Sequence, residues 1–498
     1  MDRRSWIGGY IEKVVVIGGG ISGLACAYRL KQLGIHSVVL EAEWRAGGLI
    51  ATVRKDGFLF ETGPQCPRFP PAVRKLMREL KLENEFLAGD RRAKRFIFRN
   101  GRLHGAPFSP AGLLTTSLMG PVSKFRILTE GFRSSRGPAH EESLADFVLR
   151  KFGPDVLHNL VDPIVSTVFF GDPEKMGMES AFPVLAEWER DHGSLVRAAI
   201  RARKRAAARP AAPPADRGNR GTLRVTDGLP TLGSFRLGME ALPAALSKEL
   251  DGQIRYGASA VSMSLSALES GENNSLWRID LSNGTAVRAN CVVLAVPAYG
   301  AAQLLRNAAP QLAAHLLSIE YAPACVVSSA YARSQVAHPL DGFGFMVPRQ
   351  EGLHITSTFW NSSMFAERAP EGKMLITSFA ADARGDDFMS MPEEECAYVV
   401  EGENARILGI TGKPLDRLVW RAAQALPQYN VGHKEGIAHF YRDLCDVRNL
   451  FVVGNYLTGR SIGDCTEIAF RVADEVYSRL QFENISINQE MPQRSAGN

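Results

Sequence analysis

Val14-Val15-Val16-Ile17-Gly18-Gly19-Gly20-Ile21-Ser22-Gly23 is an apolar, valine-rich run that breaks into glycines and resumes as a helical pattern reaching Gly34. Ser37-Val38-Val39-Leu40 follows and ends on Glu41. Strand, turn, helix, strand and carboxylate, in that order, are the plan of a dinucleotide half-site. Gly18 permits the tight turn, Gly20 lets the backbone approach a pyrophosphate, and Gly23 lets the helix lie close on the strand. The diphosphate then meets the positive end of the helix. Glu41, about 20 residues on, is placed to accept hydrogen bonds from a ribose diol. A lone G-x-G-x-x-G carries little weight; here the flanking strand, helix and acid supply it.

A chain of 498 residues is too long for one hydrophobic core and implies roughly two or three domains. Its apolar content of 45% is ordinary for a globular protein. The net charge is +5, so charge informs through its distribution, and no nucleic-acid partner is expected. Basic residues crowd between Arg91 and Arg102 and again between Arg197 and Arg224. A solvated face with a linker and an anionic partner both fit that pattern. The 7 cysteines are scattered without a CxxC or a His/Cys cluster, which fits reduced thiols in the cytoplasm and no metal site. No apolar core of secretory length precedes the first strand. The best apolar run, Val292 to Leu305, is broken by Pro297 and falls short of the roughly 18 residues that span a bilayer. Membrane association, if any, is therefore expected to be peripheral, on the inner face of the cell membrane.

After Glu41 the chain reads Ala42-Glu43-Trp44-Arg45-Ala46-Gly47-Gly48-Leu49, then a predicted strand Phe58-Leu59-Phe60, then Glu61-Thr62-Gly63-Pro64. This resembles the second dinucleotide motif of the amine-oxidase-like flavoproteins, and it favours FAD over a nicotinamide. Farther along, Ala72 to Leu80 is helical by pattern, and Arg95 to Leu103 reads as a hairpin turning at Asn100-Gly101. Residues 106–205 are mostly helical, with Ser143 as a cap. Ala206 to Gly221 has the composition of a loop or linker. Strands near 254–256, 260–263, 277–279 and 291–296 are expected to rejoin the opening sheet, because residues 10–66 supply too few partners for a parallel sheet. Residues 304–431 carry alternating β-patterns and an acidic helix from Pro392. Asn449 to Asn455 is a strand with a glycine turn, and Thr466 to Leu480 a closing helix.

The expected fold is thus α/β and α+β multidomain. A discontinuous Rossmann-like FAD-binding domain takes 10–66, 228–303 and 432–482. A mixed-sheet substrate domain takes 67–105 and 304–431. A helical, membrane-associating region takes 106–205, a linker 206–227 and a tail 483–498.

Four segments resemble the FAD-dependent, oxygen-dependent protoporphyrinogen oxidases of haem synthesis: Lys13 to Gly48; Val161-Asp162-Pro163 through Gly171-Asp172-Pro173-Glu174-Lys175; Ala425-Leu426-Pro427-Gln428-Tyr429 to His433; and Gly454-Asn455-Tyr456 through Cys465. The first is generic to the superfamily and the other three are specific. The resemblance implies non-covalent FAD held by Gly18, Gly19, Gly20, Ile21, Ser22, Gly23, Glu41, Gly48, Leu49, Gly63, Pro64, Gln65, Cys66, Ala260, Arg460, Ser461 and Ile462. Amides at the start of the closing helix would stabilise negative charge on a reduced flavin.

For the substrate, the resemblance implies a propionate contact at Arg95, apolar walls at Met346 and Phe365, and room for the macrocycle at Gly171. Thr167 and Leu237 depart from the commoner glycines of the family. They are expected to narrow the slot and to alter the approach to the flavin. The implied reaction is a six-electron, O2-dependent oxidation of protoporphyrinogen IX driven by aromatisation and producing H2O2, with no general base; His433 reads as structural. A homodimer and hand-over of product to a ferrochelatase accompany it. Coproporphyrinogen III, with four propionates instead of two, is the rival substrate. An amine oxidase, a carotenoid desaturase and a non-catalytic flavin-binding factor remain as alternatives.

Overall fold

Val14, Val15 and Val16 are fully buried, as a strand covered on both faces must be, and they form the centre of a seven-stranded sheet. The structure is a computed structural model that describes residues 11–490 except 91, 108, 133–139, 208–230, 268–274 and 382–387. In that sheet Ile11–Ile17 lies parallel to Ser37–Leu40 on one side and to Ala286–Leu294 on the other. Ile254–Arg255 extends it beyond Ser37–Leu40, and Leu450–Val452 pairs in parallel with Ala286–Leu294. Ser275–Leu281 and Ala260–Ala267 continue from Ala286–Leu294 as antiparallel strands. Strands from three distant parts of the chain therefore build one sheet. The helix Ile21–Gln32 packs against the closing helix Ile462–Glu490 beside it.

A second seven-stranded sheet runs in the order Asp416–Pro427, Tyr321–Ala332, Lys373–Ala380, Ile355–Phe359, Gly342–Met346, Lys94–Arg99, Arg102–Gly105. All pairings are antiparallel except Gly342–Met346 with Lys94–Arg99. The hairpin turns at Asn100 (φ 52°) and Gly101 (φ 73°), the left-handed pair that a two-residue turn requires. The helix Glu393–Leu408 opens with Glu393, Glu394 and Glu395 in its first turn, where acids suit the helix dipole.

The helical segment includes Leu144–Lys151, Asp162–Phe169, Pro183–His192 and Leu195–Ala207. Ser143 caps the first of these, its Oγ accepting from Asp146 N at 3.0 Å. Arg349 ties this segment to the second sheet. Its backbone N–H and Nε donate to the buried Asp162 carboxylate at 2.8 and 2.6 Å, and its Nη2 donates to Asp172 at 2.8 Å.

Three expectations need correction. The closing helix starts at Ile462, before Thr466, because Ser461 and Asp464 cap it reciprocally. It also runs to Glu490, through part of the expected tail. A small sheet of Arg68–Phe69, Thr231–Phe235 and Phe86–Ala88 was not anticipated. Of the expected linker 206–227, Ala206 and Ala207 finish a helix and the remainder lies outside the described residues.

Candidate active site

The glycines of the opening turn divide by what a side chain would strike. A Cβ on Gly18 (φ 107°) would come 2.6 Å from Ala295 O, and one on Gly23 would come 1.9 Å from Gly18 O. A Cβ on Gly20 would meet nothing within 4 Å. The chain therefore leaves free space in front of Gly20, at the N-terminus of the helix Ile21–Gln32, where a diphosphate would sit.

Glu41, 8% exposed, accepts from Gly19 N at 2.7 Å and from Glu43 N at 2.8 Å. Each carboxylate oxygen keeps a second lone pair. Gly47 bonds the turn directly, its N–H donating to Gly19 O at 2.8 Å, while Gly48 and Leu49 are exposed beside it. Ala258 N donates to Glu41 O, which brings the start of the strand at Ala260 to the same end of the sheet.

The loop from Gly63 to Cys66 stands against Leu49: a Cβ on Gly63 would come 2.3 Å from Leu49 O. Gln65 braces the loop by donating to Gly63 O at 2.9 Å and to Glu61 O at 3.2 Å. Asn361 Nδ2 donates to Gln65 Oε1 at 2.6 Å and couples the loop to the second sheet. Beneath it Glu61 is buried, and that burial lifts its carboxyl to about 7 against the opposing Thr52 hydroxyl, Met239 N–H and Arg368. Glu61 and Arg368 escaped the sequence reading. Glu61 had a signal in its position next to Thr62-Gly63-Pro64; Arg368 had none.

Arg95 lies beside Gly344 in the strand register, with its guanidinium carbon 4.6 Å from the Phe343 ring centroid. It is close enough to Cys66 to oppose the burial that raises that thiol to about 12. Met346 is half-buried at the end of the neighbouring strand. Phe365 is 3% exposed and carries Arg368 over its ring at 5.4 Å. Arg95, Cys66, Arg368 and Phe365 thus share one neighbourhood.

At Gly171 a Cβ would come 2.5 Å from Gln428 Oε1 and 3.0 Å from Met176 Cε, so the missing side chain leaves space beside these two flexible side chains. The Gln428 amide also donates to Phe169 O at 2.9 Å. Thr167 turns its hydroxyl to Thr356 O at 3.3 Å on the second sheet. Leu237 is exposed, and its carbonyl accepts from Arg54.

At the C-terminal loop, the guanidinium carbon of Arg460 lies 3.2 Å from the Phe169 ring centroid, and Ser461 caps the closing helix that begins at Ile462. Cys465 in its first turn lies beside Ser22 of the opening helix, so this loop and the glycine turn adjoin. His433 stacks on Tyr429 at 4.4 Å and places Nε2 3.3 Å from Leu457 O. Burial lowers its pKa, which suits a neutral ring.

The family model described as "Flavin containing amine oxidoreductase" matches residues 21–477. A chloroplastic protoporphyrinogen oxidase of Nicotiana tabacum is 32% identical over 93% of this chain and 85% of its own. A coproporphyrinogen III oxidase of Bacillus subtilis is 26% identical over 92% and 96%. Among solved structures, an Exiguobacterium protein provisionally named as a protoporphyrinogen oxidase superposes with a TM-score of 0.77, at 22% identity, over 94% of this chain and 99% of that one. With both glycine motifs brought together and the alignments running nearly end to end, the chain belongs to the family of flavin-containing amine oxidoreductases, among relatives that are protoporphyrinogen oxidases.

Proposed function

We propose that this protein oxidises protoporphyrinogen IX to protoporphyrin IX with O2, in three two-electron steps that release H2O2. The observation that carries this reading is the nearly full-length similarity to protoporphyrinogen oxidases, at 32 to 33% identity over 93 to 94% of the chain. Bound FAD supplies the two-electron acceptor. The chain's part is to hold and orient. Gly18 to Gly23, Glu41, Gly48 and Leu49 would hold the dinucleotide, and Gly63 to Cys66 with Arg460 to Ile462 would hold its flavin end. Arg95 pairs with a propionate, for which a guanidinium fork is suited. Aromatisation drives the reaction, so positioning a bridge carbon suffices and no side chain needs to act as a base. The FAD is non-covalent: Cys465, the cysteine of the C-terminal loop, is buried, which pushes its thiol up to about 11. Denaturation should release the flavin into the supernatant, and flavin retained on the precipitate would refute this.

Aerobic incubation with protoporphyrinogen IX and, separately, coproporphyrinogen III tests the reaction, with porphyrin fluorescence and peroxide as readouts. Turnover of protoporphyrinogen supports the proposal, and turnover of neither substrate overturns it. The Bacillus relative makes coproporphyrinogen III the second reading.

The same reading places the protein on a membrane surface from which it takes an apolar substrate. No helix among the described residues is long and apolar enough to cross a membrane. Val122, Phe125, Leu128 and Phe132, 56 to 90% exposed, follow one another at helical spacing along Pro121–Thr129 and just past it. Arg197, Arg201 and Lys204 are exposed on Leu195–Ala207, and Arg197 lies beside Gly131 next to Phe132. An apolar patch with neighbouring cations is what an interfacial surface needs. A homodimer and delivery of the product to a ferrochelatase complete the proposal.

A further inference from the structure

The helix Leu195–Ala207 begins on a group that its own segment does not supply. Ser194 caps it with a hydroxyl that accepts from Arg197 N at 3.1 Å. The two amides ahead of that one, Leu195 N and Val196 N, both donate at 3.0 Å to the carboxylate of Glu130, a residue far earlier in the chain. The Ser194 hydroxyl donates to the same carboxylate at 2.5 Å. Glu130 is 1% exposed and Ser194 0%. The ammonium of Lys151, itself 3% exposed, lies 3.6 Å from Glu130 and 2.7 Å from Glu189, and it donates to Gly193 O at 3.4 Å. Arg150 completes the cluster by pairing with Glu189 at 2.9 Å and with Glu142. One set of buried charges thus joins the turn after Pro121–Thr129, the helix Leu144–Lys151, the end of Pro183–His192 and the start of Leu195–Ala207.

The last of these helices needs that support. At 13 residues it has about the length at which an isolated helix is only marginal in water. Arg197 and Arg201 stand one turn apart and Lys204 three residues farther, all exposed, so like charges repel along the helix. Arg197 also lies in the first turn, where the dipole disfavours a cation. Arg201 has a ring nitrogen of His192 at 3.0 Å, and none of the three cations forms an ion pair among the described residues. A carboxylate at the N-terminus offsets both penalties, because it satisfies the open amides and carries the charge that the dipole favours. Glu130 also follows directly on the helix Pro121–Thr129, whose Val122, Phe125 and Leu128 are exposed. A Cβ on Gly131 would lie 3.8 Å from Val196 Cγ1 and 3.9 Å from Arg197 Cγ, so the cationic helix meets the apolar run at this joint.

We propose that Glu130 is a positioning residue that holds the cationic helix Leu195–Ala207 against the apolar helix Pro121–Thr129, so that the two meet an anionic lipid surface as one anchor. The inference rests on the membrane reading given above and names the residue that organises that surface. Charge complementarity commits it to anionic lipid: the exposed cations adjoin an exposed apolar run, and a bilayer with acidic headgroups offers a partner to both at one depth. Neither half is strong alone. Held together, the second half binds at the high effective concentration set by the first, which is the gain that a rigid joint provides.

The test compares wild type with Glu130→Gln, as the flavin-loaded full chain, by amide hydrogen exchange and by co-sedimentation with vesicles of phosphatidylcholine alone or with phosphatidylserine added. Flavin content and unfolding temperature report whether the variant is folded. Ser194→Ala, which removes the cap hydroxyl and leaves the Glu130–Lys151 pair, takes its place if it is not. Exchange over 195–207 should rise about fivefold or more in the variant, while that of 21–32 stays as in wild type. Binding to the anionic vesicles should fall about fivefold or more, and binding to the neutral ones by less than about twofold. Arg201→Gln should weaken anionic binding in wild type and have little further effect in Glu130→Gln, a non-additivity that loss of a merely structural contact would not produce. Unchanged exchange over 195–207 in a folded variant overturns the proposal, since the helix would then stand without the carboxylate. Faster exchange with anionic binding as in wild type overturns it as well, because the helix would then have no share in docking. A wild type that binds neither vesicle defeats the membrane reading and the anchor with it, and faster exchange in the variant would then mark Glu130 as a helix cap alone.

Discussion

Gly20 and Gly23 belong to one turn and answer the same substitution in opposite ways. Alanine at 20 meets no protein atom, and the backbone there is extended at φ −70°, so Gly20→Ala should fold normally. It should weaken flavin binding by about tenfold or more, which titration of the apoprotein would read directly. Alanine at 23 drives a methyl to 1.9 Å from Gly18 O, an overlap that should cost on the order of 3 kcal/mol and depress the unfolding temperature of the apoprotein itself. If Gly20→Ala bound flavin like wild type, the diphosphate would have to lie elsewhere.

With Arg95 as the proposed propionate partner, Arg95→Ala should cost roughly 1.5–3 kcal/mol in substrate binding, raising the Michaelis constant about tenfold or more. Flavin content should hold, since Arg95 belongs to neither glycine motif. Unchanged turnover at low substrate would move the propionate partner to another residue. The opening glycines were legible because their reason is backbone geometry. At Gly171 a sequence shows that a side chain is missing without showing that Gln428 and Met176 stand beside the space.

Glu61 on the hairpin strand Phe58–Glu61 gives the fold beneath the loop from Gly63 to Cys66 a dependence on pH. Burial raises its carboxyl to about 7 in the folded protein, above the 4.5 of an unhindered group. The folded state thus holds a proton that the unfolded state has released. The contribution to stability is full below about 4.5, falls as pH rises and levels off above about 7, a change of roughly 3 kcal/mol at most. Glu61→Gln abolishes that titration, so the difference in unfolding free energy between variant and wild type should move in favour of the variant from pH 5 to pH 8. A difference that stays flat across the range would show that Glu61 is ionised throughout.

At this level the strands of the first sheet were legible as apolar runs, and the Asn100-Gly101 hairpin by its turn residues. The strand Thr231–Phe235 was missed because Gly233 interrupts its alternation. It is held by Phe86, Phe69 and Phe235, an edge-on aromatic cluster assembled from separate parts of the chain. The start of the closing helix was placed late, at Thr466, because the capping by Ser461 and Asp464 was not recognised in the sequence.

Over the whole molecule, the exposed Val122, Phe125, Leu128 and Phe132 beside Arg197 and Arg201 predict a salt-sensitive attachment to anionic vesicles. Each cation near the surface should add about 1 kcal/mol at low salt, so co-sedimentation should fall as salt rises. Phe125→Ser together with Phe132→Ser should reduce binding at every salt concentration, because the apolar share is not screened. Equal binding to neutral vesicles would remove the electrostatic part of the proposal, and no binding to either would remove all of it. Domain organisation was only partly legible. The sheet had to borrow strands, since residues 10–66 hold too few partners for a parallel sheet, but nothing in the sequence announced Arg349 as the tie between the helical segment and the second sheet.

The strand Leu450–Val452 lies directly beside Ala286–Leu294, itself the neighbour of Ile11–Ile17, and the closing helix packs on Ile21–Gln32. During synthesis, then, the glycine turn leaves the ribosome with one of its walls hundreds of residues away from being made. Its first parallel partner, Ser37–Leu40, arrives at once, while the others wait for most of the polypeptide. Capture of a dinucleotide at this turn would accordingly be an event of the finished chain, and until then the half-built sheet presents apolar strand edges to solvent, the condition under which nascent proteins call on chaperones.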